Sequence, residues 1–175
     1  MDSKKQKANS KNFDFSCRSA RGFGLVETVV GAAILVVLLL GLVQVGQFTF
    51  RLVDESSLRL RAAFLVEEGI EAVRVLRDTS WSASIAPLAL DTDRYLSFSG
   101  GAFSLGATPP APVDGTFDRR VRFFAVNRDG SDNIVESGGT LDPNTRRVTV
   151  TVSWQNRGRT GTTTISTYFT NLFNN

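Results

Sequence analysis

Residues 23–43 read FGLVETVVGAAILVVLLLGLV, a run in which 19 of 21 positions are apolar or Gly and only Glu27 is charged. As an α-helix this run spans roughly 31 Å, about one hydrocarbon core, and Thr28 can satisfy its hydroxyl on the helix backbone. A secretory signal peptide has an apolar region of about 7 to 15 residues followed by a small-residue cleavage site. Residues 44–48 (QVGQF) supply no such site, so a membrane-spanning helix is the better expectation. Beyond Val43 the apolar pattern narrows to one face, with Leu58, Ala62, Leu65, Gly69, Val73 and Leu76 at steps of three and four. Arg51, Glu55 and Arg59 alternate in sign on four-residue spacing, as on a solvated helix face. No Pro occurs before Pro87 in this part of the chain. The pattern predicts one helix from near Phe23 to near Arg77, about 80 Å long, half in the membrane and half outside it. The alternative is two helices broken near Gly41 or Gly46, since each Gly costs about 1 kcal/mol relative to Ala.

The remainder changes period. Residues 78–87 read as an exit from the helix, and residues 100–115, with Pro109, Pro110 and Pro112, as an irregular surface loop. Segments 121–126, 147–154 and 162–169 alternate or are rich in β-branched and aromatic residues, with turn chemistry at Asp129-Gly130 and Asp142-Pro143-Asn144. In the second segment Val148, Val150, Val152 and Trp154 share one face and Thr149, Thr151 and Ser153 the other. Residues 155–161 read as a hairpin loop. A three- to four-stranded antiparallel sheet packed on the outer half of the helix gives an α+β fold. The expected organisation is a basic leader (1–22), a transmembrane or assembly half of the helix (23–45), an outer half (46–80) and a sheet domain (81–175).

Charge is unevenly distributed. Residues 1–22 hold six basic residues, four of them Lys, against Asp2 and Asp14, a net +4 that places this end on the cytoplasmic side and the bulk of the chain across the membrane. From Phe23 onward there are 14 Arg, no Lys and 15 acidic residues, a net −1, so the body offers no basic phosphate-binding surface of the kind nucleic acids need. The sole Cys, Cys17, lies in the leader, and His is absent. The usual zinc ligands, the commonest general base near neutral pH and every Ser-His or Cys-His arrangement are thereby removed, and no enzymatic activity is expected.

At the head of the apolar run the order is Arg21-Gly22-Phe23-Gly24-Leu25-Val26-Glu27-Thr28. A basic leader ending in glycine, then an aromatic, then a glutamate inside an apolar helix resembles the type IV prepilin and type II secretion pseudopilin family over roughly residues 18–45. The resemblance implies a membrane aspartyl peptidase that cuts between Gly22 and Phe23 and N-methylates the new amine of Phe23. The product would join a helical filament through Glu27. It further implies three kinds of partner: the prepilin peptidase/methyltransferase, other pilin or pseudopilin subunits, and an inner-membrane assembly platform. The chain would begin in the cytoplasmic membrane with its N-terminus inside and end in an extracytoplasmic filament. Major pseudopilins tend to carry an acidic calcium-binding loop and major pilins a C-terminal disulfide. Neither feature is evident here, so the resemblance is to a minor subunit, with no cofactor or metal of its own.

Physical chemistry singles out Glu27 independently. A carboxylate within a membrane helix costs about 2.5 to 3.5 kcal/mol on insertion scales, so its retention calls for a partner. The amine exposed by a cut after Gly22 is a cation at similar depth, and an amine on one subunit facing Glu27 of the next would neutralise both and select an axial register. Gly31, Gly41 and Gly46 either permit close helix approach or are ordinary membrane-helix glycines. The helix-breaking proline common in the family's first helix is absent. Asp129-Gly-Ser-Asp132-Asn133 is read as a hairpin turn over a calcium loop, because the twelve-residue spacing and terminal glutamate of the latter are missing. Glu67, Glu68 and Glu71 are read as solvated or as contacts to Arg residues of the sheet. Two other functions compete with the filament subunit. One is an uncleaved single-pass anchor displaying a small binding domain. The other is a tethered hydrolase resting on Asp91 and Asp93, a pair the sequence does not distinguish from a polar turn.

Overall fold

The computed structural model describes Gly22 and residues 24–175. The elements in chain order are α1 (Leu25–Thr79), α2 (Trp81–Ser84), β1 (Tyr95–Ser99), β2 (Ala102–Gly106), β3 (Phe117–Arg128), β4 (Ile134–Val135), β5 (Thr140–Asn156) and β6 (Arg159–Thr170). The fold is α+β, and the chain divides into two compact units between Gln47 and Phe48. In the first unit α1 continues unbroken through Gly31, Gly41 and Gly46, so the single-helix expectation holds over the two-helix alternative. Phe23, where the helix was expected to start, lies outside the described residues, as does the leader of residues 1–21.

The second unit, Phe48–Asn175, has its own core. The outer part of α1 ends where Ser80 turns extended (φ −168°, ψ 114°), its Oγ accepting from the Ala83 backbone N–H at 3.2 Å to cap α2. Four antiparallel strands in the order β4-β3-β5-β6 form the sheet. Across it Phe117 faces Trp154, Val121 faces Val150 and Phe123 faces Val148. Val148, Val150, Val152 and Trp154 are buried, while Thr149 and Thr151 on the other face bond Ser166 and Thr164 through their hydroxyls at 2.8 and 3.1 Å. The alternation along β5 thus sorts its side chains as the sequence predicts.

Ala62, Val66, Gly69, Ala72 and Val73 are the buried positions of α1, with Leu58, Leu65 and Leu76 packed partly against the same core. Gly69 marks a close approach of helix to sheet, since a Cβ added there would lie 2.8 Å from Val150 Cγ1 and 3.4 Å from Arg119 Cδ. The absence of a side chain at Gly69 lets the helix backbone settle on the middle of β5. Arg119 projects from β3 to the helix, where its Nη1 pairs with Glu68 Oε2 at 3.1 Å and donates to the Leu65 carbonyl at 3.3 Å. Glu68 is therefore a helix-to-sheet contact, whereas Glu71 pairs within the helix with Arg74. At the far end of the sheet the Trp154 ring lies over Gly161, its cross-strand partner, leaving no room for a Cβ there.

Three local expectations are corrected. Residues 100–115 are not irregular throughout, because Gly100 and Gly101, both at positive φ (62° and 81°), turn β1 back into β2 as a hairpin. Paired glycines adopt that turn without Cβ strain. Residues 155–161 hold only a two-residue loop, Arg157-Gly158, with both φ positive (50° and 78°), so β5 and β6 run further than expected. Asp142-Pro143-Asn144 does not connect two strands. It lies inside β5, where the register with β3 breaks between Ala125 and Val126 and three residues bulge out of the ladder. A bulge is where Pro, which lacks an N–H, is tolerated within a strand.

Candidate functional site at the start of α1

The amide N–H groups of Glu27 and Thr28 donate to the Gly24 carbonyl at 3.0 and 3.2 Å, so Gly24 opens the helix. Thr28 Oγ1 donates to the Leu25 carbonyl at 2.8 Å, which satisfies the hydroxyl within the helix as expected. Glu27 stands in the first turn, where the helix dipole favours a negative charge. No described side chain pairs with it, and it is exposed. Gly22 is exposed two residues before Gly24, with open space around its Cα. The structure thus places Gly22 and Glu27 at one end of one helix. Phe23, the third residue of the motif, falls outside the description.

Around and beyond Glu27 the helix is apolar on every side and uncovered. Leu25 is 81% exposed, Leu42 69% and Val37 68%, and Val29, Val30, Ile34, Leu35 and Leu38–Leu40 are exposed with them. A soluble monomer rarely leaves more than roughly 300 to 600 Å² of contiguous apolar surface uncovered. A helix apolar all round is solvated by hydrocarbon or by other apolar helices. α1 is long and apolar enough to cross a membrane, and none of its most apolar stretch is buried within the protein. Cβ atoms added at Gly31 or Gly41 would meet nothing, so both sites are open to a neighbouring helix.

Asp91, Asp93 and Asp129 are occupied by local partners, whereas Glu67 is exposed. Asp93 is clamped by Arg122 through a very short Nε–Oδ1 contact and by Arg120 Nη1 at 3.5 Å, and Asp91 lies 3.6 Å from Arg122 Nη1. The hydrogen bond from Arg122, helped by the charges of Arg122 and Arg120, holds the Asp93 carboxyl below its usual range despite some burial. Such a group ties the approach to β1 onto β3 and is poorly matched to a general acid. Asp129 is the hub of the β3–β4 turn, as the sequence predicts. Its carboxylate accepts from the backbone N–H groups of Ser131 and Asn133 at 2.8 and 2.9 Å, which lowers its pKa.

One cluster was not legible beforehand. The tip of the β5–β6 hairpin reaches α1, with Asn156 Nδ2 donating to Glu55 Oε2 at 3.0 Å and Arg157 Nη2 pairing with Asp54 Oδ2 at 3.0 Å. Glu55 also pairs with Arg59 at 3.1 Å, and these bonds, that from Asn156 foremost, hold its carboxyl below the usual range. The contacts join positions 101 and 103 residues apart, and only the Glu55–Arg59 spacing pointed toward them.

Comparison of the chain with family models, with curated proteins and with solved structures found no match to any of them. A long N-terminal apolar helix followed by an antiparallel sheet that packs on its outer part is nevertheless a pilin-like architecture.

Proposed function

We propose that this chain is a structural subunit of a type IV pilus-like or type II secretion filament, of the minor pilin or pseudopilin kind, with no catalytic role of its own. Prepilin peptidase cuts between Gly22 and Phe23, and Phe23 becomes the N-methylated first residue. The processed subunit leaves the cytoplasmic membrane through an inner-membrane assembly platform, and its apolar helix packs among those of other subunits. Glu27 accepts the Phe23 amine of a neighbour, which sets the axial register. The observation that carries this reading is the uncovered apolar half of α1 with one carboxylate in its first turn that no described side chain neutralises. Bilayer and filament both solvate such a surface, but a filament also supplies the missing cation.

The test is assembly in cells that carry the filament machinery. Wild-type chain is expected in the sheared surface fraction, while Glu27→Leu is expected to be processed and retained in the membrane. Assembly of Glu27→Leu at the wild-type level would overturn the role of Glu27. Failure of the wild-type chain to enter any filament would overturn the subunit reading.

A further inference from the structure

The hairpin-tip contacts leave an open groove with α1 as one wall and residues 156–162 as the other. Its charge is lopsided. Arg51, Arg59, Arg157 and Arg159 surround it, and Asp54 and Glu55 on its α1 side are already engaged by Arg157, Arg59 and Asn156. Arg51 and Arg159 have no carboxylate within ion-pair distance among the described residues and are both exposed. Arg51 sits eight residues past Val43, the end of the apolar run, on the same helix, about two turns further on. Phe48 and Phe50, which lie between the apolar run and Arg51, are 61% and 73% exposed. Exposed aromatics followed by arginines at the end of an apolar helix suit the headgroup layer of a bilayer.

We propose that this groove binds the phosphodiester headgroup of an anionic phospholipid in the leaflet from which α1 emerges. Arg51 and Arg159 are the direct donors, and Arg59 and Arg157 contribute field. Guanidinium groups match phosphate oxygens in geometry as well as charge. A polyanionic macromolecule fits less well, because the chain from Phe23 onward is net acidic, with 14 Arg against 15 acidic residues. The proposal rests on the membrane-spanning reading of α1. It would hold the subunit at the membrane surface before extraction into a filament.

The experiment uses the full chain in mild non-ionic detergent, titrated with phosphatidylglycerol or phosphatidylcholine and followed by native mass spectrometry. One phosphatidylglycerol is expected to bind at least about tenfold more tightly than phosphatidylcholine, given two unpaired arginines at about fivefold each. Arg51→Ala and Arg159→Ala should each lower phosphatidylglycerol affinity about fivefold and leave phosphatidylcholine unchanged. Arg61→Ala, an exposed change on the same helix outside the groove, should alter neither. Equal binding of the two lipids by the wild-type chain, or full retention of the preference in the Arg51→Ala/Arg159→Ala double variant, overturns the proposal. Flotation with phosphatidylcholine vesicles after an alkaline wash separates the two levels. A chain that floats but shows no headgroup preference overturns the groove alone, and a chain that does not float overturns the membrane span and the groove together.

Discussion

Replacing Gly69 by Ala probes the seating of α1 on the sheet through one methyl group. In an exposed helix the change would stabilise by up to about 1 kcal/mol, because glycine loses more backbone entropy on folding. Here the new Cβ would lie 2.8 Å from Val150 Cγ1 and 3.4 Å from Arg119 Cδ. Val150 is fully buried in the middle of β5, and a β-branched side chain has little rotamer freedom with which to give way. Overpacking of this kind costs about 1 to 3 kcal/mol, so the clash should win, with a net loss of about 1 kcal/mol. Val150→Ala removes the obstructing methyl at a cost of about 2 kcal/mol of its own. In that background Gly69→Ala should turn neutral or stabilising. Trp81 and Trp154, the two tryptophans of the chain, are both buried in this core. Their fluorescence in urea titrations of the detergent-solubilised chain therefore reports its unfolding. The cycle should show a coupling of about 1 kcal/mol or more. An effect of Gly69→Ala that is the same in both backgrounds within about 0.5 kcal/mol, the additivity of independent sites, would refute the close approach of α1 to β5.

Acid should loosen the second unit through four carboxylates, Glu55, Asp93, Asp129 and Asp142, each held below its usual range in the fold. Hydrogen bonds from Arg122 lower the pKa of Asp93, and backbone N–H groups of Asn133 and Ser131 lower that of Asp129. For Asp142, burial acts upward but is outweighed by bonds from Thr145 and Arg128. A folded pKa below the unfolded one gives stability that is complete above the unfolded value, about 3.9 for Asp, and is lost as pH falls through the folded value. The urea midpoint should therefore be flat from about pH 5 to 7 and fall below about pH 4, and Asp93→Asn should lower the plateau while flattening that fall. An acid slope unchanged by Asp93→Asn would contradict the clamp. Asn175 bonds both ends of the α1–α2 junction: its Nδ2 donates to the Asp78 carbonyl at 3.2 Å, and its Oδ1 and backbone O accept from Trp81 and Ser82 at 3.0 and 2.9 Å. Asn175→Ala removes the Nδ2 and Oδ1 bonds and should cost about 1 kcal/mol in the same titration, and no loss would show those side-chain bonds to be dispensable.

The helix was legible because its signal is long. An apolar run followed by a stripe at three- and four-residue steps leaves few alternatives, and of that stripe Ala62, Gly69 and Val73 are buried as the spacing requires. The cores of β3, β5 and β6 were legible through alternation on Val, Thr and aromatic residues. β2 was not, because Gly, Ala and Ser dilute its two apolar positions, Phe103 and Leu105, and its Gly-Gly turn has the composition of a loop. Asp142-Pro143-Asn144 has turn chemistry, yet whether it ends a strand or bulges from one depends on the pairing with β3, which local sequence does not carry. Glu27 stands out in the sequence as the one charge in the apolar run, whereas Gly22 stands out only through the resemblance of residues 18–45 to the prepilin motif. The groove of Arg51 and Arg159 was not, since it exists only where the hairpin tip meets α1 across more than a hundred residues of chain.

The central claim is that α1 becomes the N-terminus of a filament subunit. Intact mass and N-terminal sequencing of the membrane-extracted protein test it most directly, with and without a co-expressed prepilin peptidase and with Gly22→Ala as control. The account predicts a mature chain that begins with N-methylated Phe23 only when the peptidase is present and that is lost in Gly22→Ala. A chain that keeps residues 1–22 under both conditions would contradict it and leave an uncleaved single-pass anchor as the function of the same helix.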